Sequence, residues 1–427
     1  MRYLYSAVLY LLIPFILVRM LLRSRNAPAY RRRLAERFGF FSDGKGQLGS
    51  PAIWVHAVSL GETIAAAPVV EDLLERYPEH TLVLTTTTPT GSERARALFG
   101  ARVLHVYAPW DLPGAVKRFV KKVQPELLVI METELWPNML HYSAVGGAKI
   151  ILANARMSER SASGYLRFST LSKSMLSKLT KVACQSPDDG RRMIDIGLAR
   201  EKLEITGSIK FDLELSSELR EQSLDLKKDW GLEHRPALVA ASTHPGEDEI
   251  ILKAFAALKT SMPNCLLLLV PRHPERFETV FELCRAEGWQ VKRRSQGIAP
   301  GQNDDIVVGD TMGELLLLLS LGKVAIIGGS LVEHGGHNAL EASAWGVPVV
   351  TGPAMFNFAE ISDLLCNARA MIKLNRAEDL GDTLQELLRD QQRLEDMGAS
   401  ALGVVADNRG AKKRLMALID EQMSAAR

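Results

Sequence analysis

The strongest constraint on this chain's fold is a unit that recurs along it. A short, wholly apolar run is followed by a polar or glycine-bearing turn and then by a helical stretch. Residues 127–131 (LLVIM) and 266–270 (LLLLV) are the clearest such runs. Neither alternates apolar with polar side chains, so as strands they have to be covered on both faces. That is the condition of a parallel sheet with helices on either side. Residues 53–57, 81–86, 127–131 and 149–153 read as strands of a first set, with further strands near Val182 and Ile205. Helices are expected over 64–75 and 91–99, and a long helical region over 164–180. A second set follows at 237–241, 265–270, 305–308, 324–327 and 347–350. The charged, leucine-spaced segment 211–235 separates the two sets. The predicted fold is α/β, with two Rossmann-like doubly wound domains facing across a cleft. Residues 24–212 form the first domain, 213–235 the connector and 236–427 the second domain with its C-terminal helices.

The chain of 427 residues has room for two such domains. Its net charge of +2 excludes a protein that binds nucleic acid over its whole surface. Cys184, Cys265, Cys284 and Cys366 show no zinc spacing and no disulfide pattern, which fits a reducing compartment. The amino terminus departs from this average. Residues 3–18 are almost wholly apolar and are followed by Arg19, Arg23, Arg25 and the run Arg31-Arg32-Arg33. No small-x-small cleavage site precedes the arginines, so a cleaved leader is not expected here. Residues 1–23 are expected to be a membrane anchor, either spanning or lying in the interface. The basic flank would hold the rest of the chain on the cytoplasmic side and attract anionic lipid.

In doubly wound sheets, ligands bind beyond the carboxyl ends of the strands, and the chain's chemistry sits there. HAVSLGE (residues 56–62) places Glu62 where a helix opens, as a general base or as a favourable N-terminal acid. METELWPN (131–138) puts Glu132 and Glu134 beside Trp136. GSIKFD (207–212) offers Lys210 as a cation for a developing anion. PRHPER (271–276) presents Arg272, able to grip a phosphate bidentately. GDTMGE (309–314) and GGS (328–330) are two more strand-to-helix turns. Residues 332–350 (VEHGGHNALEASAWGVPVV) combine a glycine turn, a helical run over 339–345 with free N–H groups, and Glu341 placed to accept from a ribose diol. No Walker A, GxGxxG or GxSxG motif occurs in its required context, so NTP hydrolysis, dinucleotide redox chemistry and α/β-hydrolase chemistry are unsupported. His334 and His337 lack the further ligands that a metal site needs.

HAVSLGE, TTTTPTG, METELWPN, GSIKFD, PRHPER and EHGGHNALEASAWGVPVV, in this order, resemble the 3-deoxy-D-manno-octulosonic acid (Kdo) transferase family over nearly the whole chain. The resemblance implies a GT-B glycosyltransferase. Such an enzyme moves Kdo from CMP-Kdo to the lipid A precursor (lipid IVA) at the cytoplasmic face of the inner membrane, without metal or other cofactor. Carried over by motif position, Glu62 is the catalytic base, and Glu132 and Lys210 stabilise the transition state. Pro271 and Arg272, Met312, Gly313 and Glu314, and Asn338, Ala339, Leu340 and Glu341 contact CMP. Two other readings stay open at this level. One is a GT-B enzyme with a different nucleotide-sugar, which the released nucleotide would reveal. The other is a non-catalytic module that binds membrane lipid without turnover.

Overall fold

The computed structural model describes residues 1–24, 28–42, 48 and 51–424. It divides into two compact units, Met1–Asp212 with Gly410–Arg427, and Leu213–Arg409. In the first unit, seven parallel strands form one sheet. They are β1 (Ala52–His56), β2 (Thr81–Thr86), β3 (Leu104–Tyr107), β4 (Pro125–Met131), β5 (Lys149–Ala155), β6 (Lys181–Cys184) and β7 (Leu203–Ile205), in the order β3-β2-β1-β4-β5-β6-β7. The chain winds from β1 to one edge and then returns to fill the other side, so the topology reverses between β1 and β4. Every residue of β1 is buried, as is nearly all of β4.

The second unit repeats the plan. Its strands are β8 (Ala237–Thr243), β9 (Leu266–Pro271), β10 (Val291–Arg293), β11 (Ile306–Val308), β12 (Val324–Ile327), β13 (Val349–Thr351) and β14 (Met371–Lys373). Their order is β10-β11-β9-β8-β12-β13-β14, with the reversal between β8 and β12. Two doubly wound, Rossmann-like parallel sheets are therefore present, as the apolar runs require. The sequence reading lacked β3, β10 and β14. These are edge or near-edge strands of three or four residues (LHVY, VKR and MIK), too short and too mixed to give an apolar run. The helical region expected over 164–180 is two helices, Glu159–Arg167 and Ser169–Leu176, separated where Phe168 leaves helical geometry at φ −116° and ψ 43°.

The end of the chain corrects a boundary. Residues 236–427 were expected to belong together, but the closing helix Ala411–Ser424 is part of the first unit. Its Leu415, Met416 and Ile419 join a core with Val55, Val69 and Leu73. Amphipathic spacing shows that such a helix must cover an apolar surface, not which sheet supplies it. Asp212 anchors its start by accepting from the backbone N–H groups of Gly410 and Lys412. The expected connector also belongs to the second unit. Its helix Ser217–Asp229 sends Ser223 to a buried hydrogen bond with Ser320 at 2.7 Å.

The apolar N-terminal run forms one helix, α1 (Arg2–Arg23), long and apolar enough to cross a membrane. It nonetheless lies along the first unit. Tyr5, Leu9, Ile13 and Ile16, spaced by four, four and three, border a small cavity with Trp110, Leu112 and Trp136. At its start Arg2 donates to Asn138 Oδ1 at 2.9 Å, and Ser6 is buried against the same amide. Just past its end, buried Ser24 accepts from Arg31 Nε at 2.5 Å. The opposite face is bare, with Tyr3, Leu11 and Phe15 at 80%, 81% and 66% exposure. The basic flank divides. Arg31 and Arg32 are exposed. Arg33 turns inward to Glu36 at 2.6 Å and to the His105 carbonyl at 2.8 Å. Arg25 lies outside the described residues.

Ile419 is fully buried although it lies close to the carboxyl terminus. Ile419→Ala is expected to cost about 2–5 kcal/mol and to speed hydrogen exchange in β1. Unchanged exchange over residues 52–56 would show that the closing helix does not support the first sheet.

Candidate functional site

Parallel strands buried on both faces can carry charged groups only where they emerge. At the reversal point of the first sheet, the strands emerging are β1 and β4. After β1, Ser59 caps the helix α2 (Leu60–Arg76) by accepting from the Glu62 N–H at 3.3 Å. The Glu62 carboxylate folds back over the cap. It accepts from the Val58 N–H at 2.7 Å and from Ser59 Oγ at 2.9 Å. These bonds favour its ionised form, but burial disfavours it more strongly. The carboxyl is pushed up to about 7, with Glu134 and Glu132 adding to the rise. A glutamate poised at neutrality suits proton transfer better than helix capping alone requires.

After β4 the backbone turns sharply. Glu132 sits in the left-handed region at φ 57°, a strained place for glutamate. The turn aims three groups. Glu132 faces Lys210 at 3.9 Å. Glu134 accepts from Trp136 Nε1 at 2.8 Å, and burial raises its pKa. Trp136 packs edge-on to the His56 ring, 4.8 Å between centroids. His56 is fully buried and depressed to about 3, hence neutral, with Nδ1 paired to Thr85 Oγ1 at 2.8 Å. Lys210 owes its place to Asn154, a buried residue at φ 53° whose Oδ1 accepts from the Ile209 N–H at 3.1 Å. Glu62, Glu132 and Lys210, far apart in sequence, thus gather at one sheet edge. Asn154 was missed by the sequence reading. A polar residue ending an apolar run (IILAN) was its one visible signal.

In the second unit β11, β9, β8 and β12 are neighbours, and the turns that follow them share an edge. Pro271 closes β9 and delivers Arg272, whose charge lowers the pKa of Glu341, while burial raises it more. Asn338 Oδ1 accepts from the Leu340 N–H at 3.1 Å and its side chain bonds Glu341. Arg272, Asn338 and Glu341 are thereby brought together, with Ala339 and Leu340 buried behind them. The helical run expected over 339–345 is a single turn, Leu340–Ser343. So few aligned peptides give little macrodipole, and positive charge for an anion has to come from side chains. The 312–314 turn is less engaged. Met312 is exposed, Gly313 takes φ 87°, and Glu314 is held by Arg294 at 2.8 Å and by Thr311.

Two features here were invisible in sequence. After β8, His244 lies 2.7 Å from His337, Nε2 to Nε2, and its ring is 4.0 Å from that of His334 and 5.6 Å from that of His273. Burial and mutual proximity push His244 and His337 down to about 4, leaving both neutral at pH 7. Among the described residues, no group of three or more His, Cys, Asp or Glu is placed to hold a metal ion. Glu247, fully buried, accepts from the N–H groups of His244, Gly329 and Leu331 at 2.8, 2.6 and 2.9 Å. It ties the β8 turn to the β12 turn. A Cβ on Gly328 would sit 2.3 Å from the Ser242 carbonyl oxygen, so only glycine allows this approach.

A family model described as 3-deoxy-D-manno-octulosonic-acid transferase (kdotransferase) matches residues 32–213, and one described as glycosyl transferases group 1 matches residues 249–403. The 3-deoxy-D-manno-octulosonic acid transferase of Haemophilus influenzae is 44% identical over 420 residues, covering 98% of each chain. The chain belongs to the Kdo transferase family. The enzyme of the same name from Bordetella pertussis is 35% identical, covering 98% of this chain and 99% of its own. A glycosyltransferase structure from Rickettsia africae superposes at a TM-score of 0.54 over 88% of this chain and 99% of its own, at 13% identity, a likeness of fold alone. This Kdo transferase family member is a glycosyltransferase of GT-B fold.

Two predictions follow from the buried carboxylates. Glu247→Ala would strand three backbone donors and is expected to cost about 3–6 kcal/mol, read as a lower thermal midpoint for unfolding of the second unit. A midpoint within a degree of wild type would remove Glu247 from its bracing role. Substituting Glu62 is expected to have the opposite effect on stability at high pH. Its folded pKa lies above the ordinary glutamate value of 4.5, so its contribution is most favourable below 4.5 and declines as pH rises through about 7. Glu62→Gln is therefore expected to be as stable as wild type at pH 5 and more stable at pH 8. Lower stability at pH 8 would mean that the carboxylate serves as a structural cap.

Proposed function

We propose that this protein is an inverting glycosyltransferase that moves Kdo from CMP-Kdo to the lipid A precursor (lipid IVA) in lipopolysaccharide biosynthesis. The observation that carries the reading is Glu62, a buried carboxyl at a sheet's reversal point with its pKa near 7. In this role it accepts the proton of the acceptor hydroxyl as that oxygen bonds to the anomeric carbon of Kdo. The bond from that carbon to the CMP phosphate oxygen breaks, and CMP leaves with the electron pair. No enzyme nucleophile and no metal take part. The sugar passes through an oxocarbenium-like transition state that Glu132 stabilises by its negative charge, as carboxylates do in glycoside hydrolysis. Lys210, 3.9 Å from Glu132, offers positive charge to the anionic donor.

The leaving CMP is received by the second unit. Arg272 grips the phosphate, and Glu341, steadied by Asn338, accepts from the ribose hydroxyls. Pro271, Ala339, Leu340 and the turn Met312-Gly313-Glu314 complete the CMP contacts. The hydrogen-bonded imidazole pair of His244 and His337, neutral when the site is empty, can gain a proton beside a bound phosphate or sugar carboxylate. The enzyme works at the inner membrane with both domains on the cytoplasmic side. Residues 1–23 are its anchor, and because α1 is held along its length we place it in the plane of the interface, bare face toward lipid.

The test is turnover of CMP-Kdo and tetraacylated lipid A precursor by the full chain, followed by CMP release and product mass. Wild type should form a Kdo-bearing product, with kcat/KM rising with pH through about 7 as Glu62 ionises. Glu62→Gln should lose about 10²- to 10⁴-fold in kcat. Product from the variant at the wild-type rate would take the base role from Glu62. Lipid binding without product from wild type would favour the non-catalytic module, and release of a nucleotide other than CMP a different donor.

A further inference from the structure

Next to the carboxylate site of the first unit lies an apolar groove of about 600 Å³ that the transfer chemistry leaves unused. One wall is the start of α1, through Leu4 and Val8. The floor is the segment after β4, through Leu135. The far wall is the helix pair Glu159–Arg167 and Ser169–Leu176, through Gly164, Phe168 and Met175. No acidic or basic side chain lines it. Large apolar side chains stand bare along it, Leu4 at 62% and Phe168 at 59% exposure, which a water-facing surface has no reason to keep.

Three observations say what fits there. First, the groove continues into the candidate site. Leu135 belongs to the same short turn as Glu132, Glu134 and Trp136, and Tyr165 on the far wall lies within electrostatic reach of Glu134. Second, its other end continues into the bare face of α1, because Leu4, Val8, Leu11 and Phe15 follow one helical stripe and only the first two line the groove. Third, Gly164 keeps it open. A Cβ there would meet nothing within 4 Å, and its φ lies outside the range that favours glycine. A residue that weakens the middle of a helix thus sits where neither backbone nor neighbours call for it. The hydrogen bonds of Arg2 and Ser6 to Asn138 fix the α1 wall in place.

We propose that this groove is an acyl-chain subsite. It takes one fatty acyl chain of the lipid acceptor while the acceptor's sugar hydroxyl is presented to Glu62. The helix α1 then forms part of the substrate site as well as the membrane attachment, and selects acceptors that carry a chain. The inference rests on the lipid-acceptor reading above.

Gly164→Phe starts from a position where a Cβ meets nothing within 4 Å and carries its ring into the groove, which makes it the decisive variant. The full-length protein in detergent is assayed with CMP-Kdo and tetraacylated lipid A precursor. KM for the lipid should rise about fourfold for each methylene that the ring expels, with the KM for CMP-Kdo and the thermal midpoint as references for folding. Separately, a lipid A precursor bearing a diazirine in one acyl chain is photolysed on wild type. Adducts are expected at Leu4, Val8 or Phe168. An unchanged lipid KM in Gly164→Phe, or adducts confined to Leu11, Phe15 and Val18 on the bare face, would overturn the subsite while leaving the transferase standing. No product from wild type would overturn the acceptor reading and the groove with it.

Discussion

Burial of the parallel strands on both faces is the constraint from which the rest follows. A strand such as β1 or β8, with no exposed residue, has no place along its length for a charged group. Polar chemistry is displaced to the strand ends, and at the point where the strand order reverses two such ends leave room beside each other. Glu62 and Glu132 flank that point in the first sheet. The His244 turn and the Gly328-Gly329 turn flank it in the second. The two halves share one plan and carry different groups on it. The first brings Glu62, Glu132 and Glu134 beside Lys210, while the second brings a histidine cluster and Arg272 beside Glu341.

Within that plan, similar carboxylates serve different ends because their surroundings differ. Glu62 and Glu247 are both buried and both accept backbone N–H groups. Glu247 takes three such bonds and braces two turns. Glu62 takes one, plus a hydroxyl, beside two other acids, and is left close to neutrality. The number of donors relative to the burial cost separates a carboxylate that braces two turns from one whose pKa is pushed up to about 7. The αL geometry of Glu132 and Asn154 is strain held in place by the sheet, and in both cases it points a functional group at the same edge.

Much of this was legible in sequence where a residue type and its local context agree. An apolar run followed by a glycine or acidic turn gives a strand, its end and a candidate site at once, and Glu62, Glu132, Lys210 and Arg272 were found in this way. Asn154, His244 and Glu247 were not, because their roles rest on partners far away in sequence. Glu247 looks like an ordinary acid at a helix start until Gly329 and Leu331 arrive from more than eighty residues downstream. The run 339–345 had helical composition, yet only Leu340–Ser343 is helical.

The sequence by itself determined the class of fold, the two doubly wound sets of strands and the turns that carry chemistry. All of these follow from short-range patterns of burial and backbone preference. Only the tertiary structure decided which sheet the closing helix covers, that α1 lies along the first unit with its bare face outward, and that Glu62 is buried enough to hold a proton near pH 7. An amphipathic helix advertises an apolar face without naming its partner, and a carboxylate's pKa is set by the water and charges around it. Both are properties of what folding brings close together, which local sequence does not contain.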